Sequence, residues 1–285
     1  MLARILTAAV LIPLVVALVW WGPPALLAAI AAGVAMLAMW EFFALGDRMG
    51  MPAFRYWTLI CAAAIFYAQY CAGLVETHSI AGGFSLVRQA ASGTLSLEAA
   101  LLIFVFGTAA AGIGTRRALH DVLPAIGAGS AGLLFVALPF SYLVRLNAID
   151  RYGRQLVLFT LSLMWAGDTF AYFAGKTFGR VPFAPALSPK KTWEGAFANM
   201  VGSLLVAIAF ARWMQTEATT MLMIAALANV AGQLGDLIKS AYKRGASVKD
   251  SGSLLPGHGG VLDRIDSLIL ASPVVWAAWQ WFAGR

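Results

Sequence analysis

Residues 25–45 read ALLAAIAAGVAMLAMWEFFAL, and this stretch is long and apolar enough to cross a lipid bilayer as one helix. A membrane-spanning helix needs about 20 apolar residues, because each residue advances it by about 1.5 Å through a hydrocarbon core of about 30 Å. Further stretches have the same character. The nine predicted spans are Arg4–Trp21, Ala25–Leu45, Phe54–Val75, Leu95–Gly114, Val122–Leu146, Gln155–Gly175, Glu194–Met214, Thr220–Ser240 and Arg264–Phe282.

The composition leads to the same fold class. Of 285 residues, 61% are hydrophobic and only 12% are charged, whereas ordinary soluble domains carry about 25% charged residues. This excludes a cytosolic enzyme, a disordered tail, a collagen-like fibre and a disulfide-stapled secreted domain. The apolar runs also far exceed the roughly 10-residue strands of an outer-membrane barrel. We therefore predict an all-α, polytopic bundle of about nine transmembrane helices.

Charge in the loops predicts the orientation. The formal net charge is +7, and Lys and Arg collect on the cytoplasmic side of membrane proteins. With the N-terminus inside, most of the Lys and Arg fall in cytoplasmic loops, although the loop that carries Arg145, Arg151 and Arg154 falls outside. We expect a multi-pass protein of the inner (plasma) membrane. The sequence contains no basic block interleaved with stacking aromatic residues. We therefore expect no nucleic-acid partner.

The polar residues are distributed unevenly along the chain. Residues 1–154 alternate apolar helices with short loops and contain few intramembrane polar groups. Residues 155–285 have longer loops and ionisable residues near the helix ends. We predict about five N-terminal membrane helices followed by a C-terminal catalytic region with cytoplasmic loops.

Two acidic residues lie within otherwise apolar segments. They are Asp168, in LMWAGDTFAYFAG, and Asp236, in NVAGQLGDLIKS. An ionised carboxylate at membrane depth is costly and indicates a functional site by default; the alternative is a structural ion pair with a nearby Arg or Lys. The helix around Asp236 favours function, because its polar residues share one face and need partners or water. That stripe consists of Asn229, Gln233, Asp236, Ser240 and Lys243.

The first polar loop reads SPKKTWEG, from Ser188 to Gly195. A proline at 189 disfavours helix at Ser188, and Thr192 is a candidate N-cap for the following helix. A helix N-terminus beside two lysines can bind phosphate, although the positive-inside rule alone also explains a solvated basic turn. The candidate substrate-binding residues here are Ser188, Lys190, Lys191, Thr192 and Glu194.

The second polar loop runs from Lys243 to Ser267 and concentrates charge. Glycines on both sides of His258 permit close approach of the backbone to a ligand. Asp263 and Asp266 are three residues apart at a helix start, where they also suit the helix dipole. The candidate residues are Lys243, Arg244, Lys249, Asp250, His258, Gly259, Gly260, Asp263, Arg264 and Asp266.

Carboxylates surrounded by cations suit Mg²⁺ and phosphoryl-transfer chemistry. Magnesium is usually held by one or two carboxylates plus substrate phosphates, and the reaction depends on positioning and charge neutralisation. Zinc is not favoured, because the three histidines are widely separated. The AGKT at 174–177 is no Walker motif, because residue 170 is Phe and no strand precedes it.

These residues resemble the phosphatidate cytidylyltransferases, also called CDP-diacylglycerol synthases. The family motif S-x-x-K-R-x4-K-D-x-G-x2-L-P-x-H-G-G-x2-D-R-x-D matches from Ser240 to Asp266, and two further blocks, DTFAYFAGKTFGR from Asp168 and SPKKTWEG from Ser188, are also similar. The resemblance covers about residues 156–273. Lys239 is a departure, because it stands where the family commonly has an acidic residue and adds a cation beside Asp236.

The resemblance implies a reaction and a set of roles. CTP and phosphatidic acid would give CDP-diacylglycerol and pyrophosphate at the membrane, with membrane lipid as substrate and a homodimer as the expected assembly. Asp236 and Asp263 would hold Mg²⁺, with a second cation possible and Asp168 and Asp266 as weaker candidates. Ser188 and His258 would orient the substrate. The implied phosphate-binding residues are Lys190, Lys191, Lys243, Arg244, Lys249 and Arg264.

Two other classes remain open at this point. One is a paralogous membrane nucleotidyl- or phosphotransferase, although the repeated aspartates of the CDP-alcohol phosphotransferases and the Asp-rich boxes of the prenyltransferases do not occur. The other is a secondary transporter of an anionic solute with coupling sites at Asp168 and Asp236. Such transporters often show paired repeats in both halves, whereas the polar residues here are confined to one half.

Overall fold

The computed structural model describes residues 2–80, 94–252 and 259–283, and helices dominate this part of the chain. Nine helices lie within it: α1 (Leu2–Trp21), α2 (Pro24–Arg48), α3 (Arg55–Ile80), α4 (Leu97–Gly114), α5 (Leu119–Asn147), α6 (Gly153–Phe178), α7 (Trp193–Met214), α8 (Ala218–Gly245) and α9 (Leu262–Phe282). The predicted all-α class is confirmed.

The predicted spans coincide with these helices, but a count of nine crossings is not confirmed. Seven helices in the described ranges, α2 to α8, are long and apolar enough to cross a membrane. The first helix contributes only a shorter apolar stretch, Ala9–Trp21, and α9 is not among the seven. The chain is therefore a membrane protein with at least seven helices of spanning character.

Helix α5 contains a wider turn. Residues Leu133–Ala137 are π-helical, and the amide of Leu138 donates to the carbonyl of Leu133. Pro139 follows directly. Because a proline ring clashes with the carbonyl four residues before it, the wider turn lets the helix pass the proline.

A short antiparallel hairpin lies between α6 and α7. Strand β1 (Pro182–Ala184) pairs with β2 (Ser188–Thr192). The SPKKT stretch, expected as a loop, is therefore a strand. It stays out of a helix at Ser188, as the following proline predicts.

The chain divides into two compact units. Unit 1 comprises Met1–Arg151 and Ala246–Arg264, and unit 2 comprises Tyr152–Gly245 and Ile265–Arg285. Each unit includes a part of the long C-terminal polar segment. The functional division at residue 154 stays a prediction, because these units describe packing and not activity.

Small residues let the helices of unit 2 approach closely, as is common between membrane helices. A Cβ added at Gly232 in α8 would lie 2.6 Å from the Met164 sulfur of α6, and one at Gly202 in α7 would lie 2.9 Å from the Phe170 ring. A Cβ at Gly167 would overlap the Asn199 side-chain oxygen. These glycines therefore allow α7 and α8 to pack closely against α6.

In unit 1, a tryptophan joins α3 to α4. The Trp57 indole nitrogen donates to the Thr108 hydroxyl at 3.1 Å, and its ring lies against Gly107, where an added Cβ would overlap it. A second hydrogen bond in unit 1 joins α3 to α5: the Gln69 amide donates to the Ser141 hydroxyl at 3.3 Å.

We predict that Gly107→Ala destabilises the protein by about 1–3 kcal/mol, because overpacking moves a well-packed ring. Gly127→Ala in α5 is the matched control, since no atom lies within 4 Å of its added Cβ; it should be neutral or stabilising by up to about 1 kcal/mol. Thermal unfolding in detergent distinguishes the two. Equal unfolding temperatures for the variants would contradict the α3–α4 packing.

Candidate active site

Four charged side chains of unit 2 form a cluster that we call the lysine-bridged cluster: Lys191, Asp236, Lys239 and Asp266. The Lys239 ammonium lies 3.1 Å from Asp236 Oδ1 and also pairs with Asp266 Oδ2. Lys191 pairs with the other oxygen of Asp236. Strand β2 supplies Lys191, α8 supplies Asp236 and Lys239, and α9 supplies Asp266. The expected cation beside Asp236 is confirmed at Lys239.

Burial makes this cluster costly to disrupt. Lys239 and Asp266 are each only 8% exposed. The second oxygen of Asp266 accepts from the Ser267 amide at 2.7 Å and from its hydroxyl at 3.3 Å. Buried charges persist when they are paired and hydrogen-bonded. Asp266 therefore holds Lys239 in place beside Asp236.

A chain of amide side chains, which we call the amide ladder, leads from Asp168 to α8. Asn199 donates to Asp168 Oδ1 at 3.4 Å. Asn229 donates to Asn199 Oδ1 at 2.5 Å and to the Ser203 hydroxyl at 2.7 Å. Gln233 then donates to Asn229 Oδ1 at 2.7 Å. The ladder joins α6, α7 and α8.

At least three of the five residues in the polar stripe of α8 have polar partners. Asn229, Gln233 and Asp236 each contact a polar group on another element of unit 2, including the Ala196 carbonyl, which accepts from Gln233 at 3.3 Å. Ser240 is buried and Lys243 is half-buried. Asp168 accepts from the Asn199 amide, and both the functional and the structural interpretation of this acid stay predictions.

The hairpin and the start of α7 are fixed by local bonds. The Thr192 hydroxyl accepts from the Gly195 amide at 3.2 Å, which confirms it as the N-cap of α7. Glu194 accepts from the Val181 amide at 3.3 Å, and Arg244 donates to the Leu187 carbonyl at 3.2 Å. Ser188 is half-buried and Lys190 is exposed. Lys191 thus faces Asp236, while its neighbour Lys190 is accessible to a ligand.

In unit 1, a buried acid binds the segment that carries the long motif. Glu41 of α2 accepts from the Ser251 hydroxyl at 3.1 Å and from the amides of Val261 at 3.0 Å and Leu262 at 2.9 Å. Only 3% of Glu41 is exposed. It lies more than 200 residues away in sequence from these partners.

Asp263 binds the same segment. Its Oδ2 accepts from the Ser251 amide at 3.0 Å and the Gly260 amide at 3.2 Å, and it lies 2.9 Å from the Ser251 hydroxyl, whose single proton it shares with Glu41. Gly259 adopts a φ of +78°, a conformation that favours glycine. Asp263 therefore shapes the turn at the start of α9. Binding a metal through it stays a prediction.

The remaining motif residues are accessible or lie outside the described ranges. Lys249, Asp250 and Arg264 are exposed. His258 lies outside the described residues. Within the ranges that are described, no three or more His, Cys, Asp or Glu side chains are grouped closely enough to hold a metal by themselves.

Sequence reasoning missed Glu41, Asn199 and Ser203. Glu41 is the single charged residue in the apolar span 25–45, so the argument applied to Asp168 also identifies it. Asn199 and Ser203 are polar residues in the apolar α7, four positions apart and therefore on one face. The spacing of polar residues within one helix does not identify the residues that they contact on another helix.

Comparisons with known proteins identify the family. A profile described as "Cytidylyltransferase family" matches residues 2–282. A phosphatidate cytidylyltransferase of Haemophilus influenzae is 34% identical, and the alignment covers 95% of both chains. The protein of that name in Bacillus subtilis is 38% identical over 50% of this chain and 54% of its own length. Phosphatidate cytidylyltransferase 5, chloroplastic, of Arabidopsis thaliana is 44% identical over 44% of this chain and 32% of its own. This chain belongs to the cytidylyltransferase family.

Proposed function

We propose that this membrane protein transfers the cytidylyl group of CTP to phosphatidic acid, forming CDP-diacylglycerol and releasing pyrophosphate. The observation that carries the proposal is the end-to-end likeness, over 95% of both chains, to the Haemophilus protein named phosphatidate cytidylyltransferase. The lysine-bridged cluster and the exposed cations near the motif give the chain the groups that this reaction needs.

The chemistry is mainly an electrostatic problem. The attacking phosphatidate oxygen is already anionic, so no strong general base is required. The two substrates repel each other, and charge neutralisation and positioning lower the barrier. Phosphates can reach the exposed side chains of Lys190, Lys249 and Arg264, and we propose that these cations bind them. Lys243 and Arg244 assist them, and Ser188 and His258 orient the substrates.

A divalent cation fits the oxygen donors of this chain. Magnesium prefers carboxylate oxygens and is usually bound by one or two of them together with substrate phosphates, so a cluster of three protein ligands is not needed. We propose Asp236 and Asp263 each as a residue that binds a divalent cation, with Asp168 less directly involved. When bound, Mg²⁺ supplies positive charge to the phosphate oxygens of CTP and to the leaving pyrophosphate.

Both oxygens of Asp236 are paired with lysines, so a divalent cation that binds there replaces at least one of these pairs. In unit 2, Lys191 and Lys239 neutralise Asp236. Asp266 is occupied by Lys239 and Ser267, so we assign it to positioning Lys239. Lys191, from β2, is the cation that the substrate phosphates can recruit.

The location follows from the substrates. We propose a multi-pass protein of the inner (plasma) membrane, with the hairpin and the long motif on the cytoplasmic side, where CTP is available. A homodimer is the assembly that we expect.

We predict that purified protein forms CDP-diacylglycerol from CTP and phosphatidate in the presence of Mg²⁺, and that Asp236→Asn lowers kcat by about 100-fold or more. Loss of the carboxylate charge weakens a proposed ligand and removes the ion pairs of Asp236 with Lys191 and Lys239, while Lys239 keeps Asp266. Asp121→Asn at the start of α5 is the control and should retain activity. Activity within threefold of wild type in Asp236→Asn would remove this residue from the site.

A second prediction concerns stability. Lys239→Met should lower the free energy of unfolding by about 3–5 kcal/mol, because Asp266 is left buried without its cation. Lys239→Met/Asp266→Asn should recover part of that loss, since the uncompensated charge is then gone. Lys190→Met, at an exposed lysine, should change the free energy by less than about 1 kcal/mol. A double variant less stable than Lys239→Met would contradict the pairing.

A further inference from the structure

The Glu41 carboxylate is the link between the N-terminal helices and the long motif. Both of its oxygens are engaged: Oε1 accepts from the Val261 amide, and Oε2 accepts from the Ser251 hydroxyl and the Leu262 amide. A buried carboxylate is costly unless it is hydrogen-bonded. Here that charge is offset by directed N–H and O–H donors, and all of them come from the motif segment.

These bonds hold the motif segment at two places. Ser251 follows Lys249 and Asp250 directly, and Val261 and Leu262 precede Asp263 and Arg264. Glu41 therefore fixes the backbone next to the proposed phosphate-binding and metal-binding residues on both sides. Asp263 reinforces the arrangement by accepting from Ser251 and Gly260.

Two motif glycines face the same carboxylate. A Cβ at Gly252 would lie 2.5 Å from Glu41 Oε1, and a Cβ at Gly260 would overlap Glu41 Oε2 and the Ser251 hydroxyl. Neither glycine has a positive φ, so backbone freedom does not explain them. Instead, any larger residue at these two positions would occupy the space of the Glu41 carboxylate.

We propose that Glu41 is a positioning residue for the cytidylyl transfer. Its carboxylate binds Ser251, Val261 and Leu262 and thereby sets where Lys249, Asp250 and Asp263 meet the nucleotide. This inference rests on the proposed function, and it assigns a part in the reaction to α2, outside the predicted catalytic region 155–285. Glu41 contacts backbone and a hydroxyl, and it acts through the residues that they carry.

The test compares Glu41→Gln with Gln69→Leu. Gln69 is a matched control because it is also buried in unit 1, at 1% exposure, and its bond goes to Ser141 and not to the motif. In detergent with CTP, phosphatidate and Mg²⁺, Glu41→Gln should lower kcat by about 10–100-fold, as small displacements of catalytic groups do. Gln69→Leu should keep kcat within about twofold, even where it lowers the unfolding temperature as much. Equal kcat for the two variants at equal stability would overturn the proposal.

A double-variant experiment tests the contact itself. Gly252→Ala should lower kcat in the wild-type background, because the new methyl group displaces the carboxylate. In a Glu41→Ala background the same change should have little further effect, since the space is empty. Independent effects that multiply would contradict the proposed coupling.

Hydrogen exchange separates this inference from the proposed function. Amides of Val261 and Leu262 should exchange at least about tenfold faster in Glu41→Gln than in wild type, whatever the reaction is. Unchanged exchange would show that Glu41 does not hold the segment. If the wild-type protein makes no CDP-diacylglycerol, the proposed function fails, and the exchange result alone decides whether Glu41 holds the motif.

Discussion

An ionised side chain among apolar helices must be neutralised by a nearby group, because lipid and packed side chains solvate charge poorly. In unit 2 this constraint brings together three elements that are separate in sequence. Lys239 lies between Asp236 and Asp266, and Lys191 from the hairpin completes the pairing of Asp236. The position of β2 relative to α8 and α9 within this unit thus depends on charge pairing.

Unit 1 satisfies the same constraint in another way. Glu41 and Asp263 accept from backbone amides and from one serine hydroxyl. Charge-assisted bonds of this kind are directional, so they fix the local backbone more closely than a lysine on a flexible stem would. The acids of the lysine-bridged cluster in unit 2 are thus paired with lysines, whereas Glu41 and Asp263 in unit 1 are hydrogen-bonded to the backbone and a hydroxyl.

Much of this architecture is predictable from the sequence, because hydropathy is a local property. The positions of the helices and the N-cap at Thr192 follow from short windows of residues, as does the choice of Asp168 and Asp236 as candidates. The partners do not. Glu41 is identifiable as an acid in an apolar run, but its bonds to Val261 and Leu262 join residues more than 200 apart. Likewise, periodicity places Asn229 on a polar face without revealing Asn199, and the basic stretch at Ser188–Thr192 gives no local sign of its pairing with β1.

We propose that these buried and exposed charges serve to move a cytidylyl group from a nucleotide to a lipid. The most direct measurement follows the label from CTP radiolabelled at either the α- or the γ-phosphorus, incubated with the protein, Mg²⁺ and phosphatidate vesicles, then extracted into organic solvent. The α-label should enter the lipid fraction, while the γ-label stays in water as pyrophosphate. Lipid that carries the γ-label would indicate a kinase, and lipid that carries neither would contradict nucleotidyl transfer altogether.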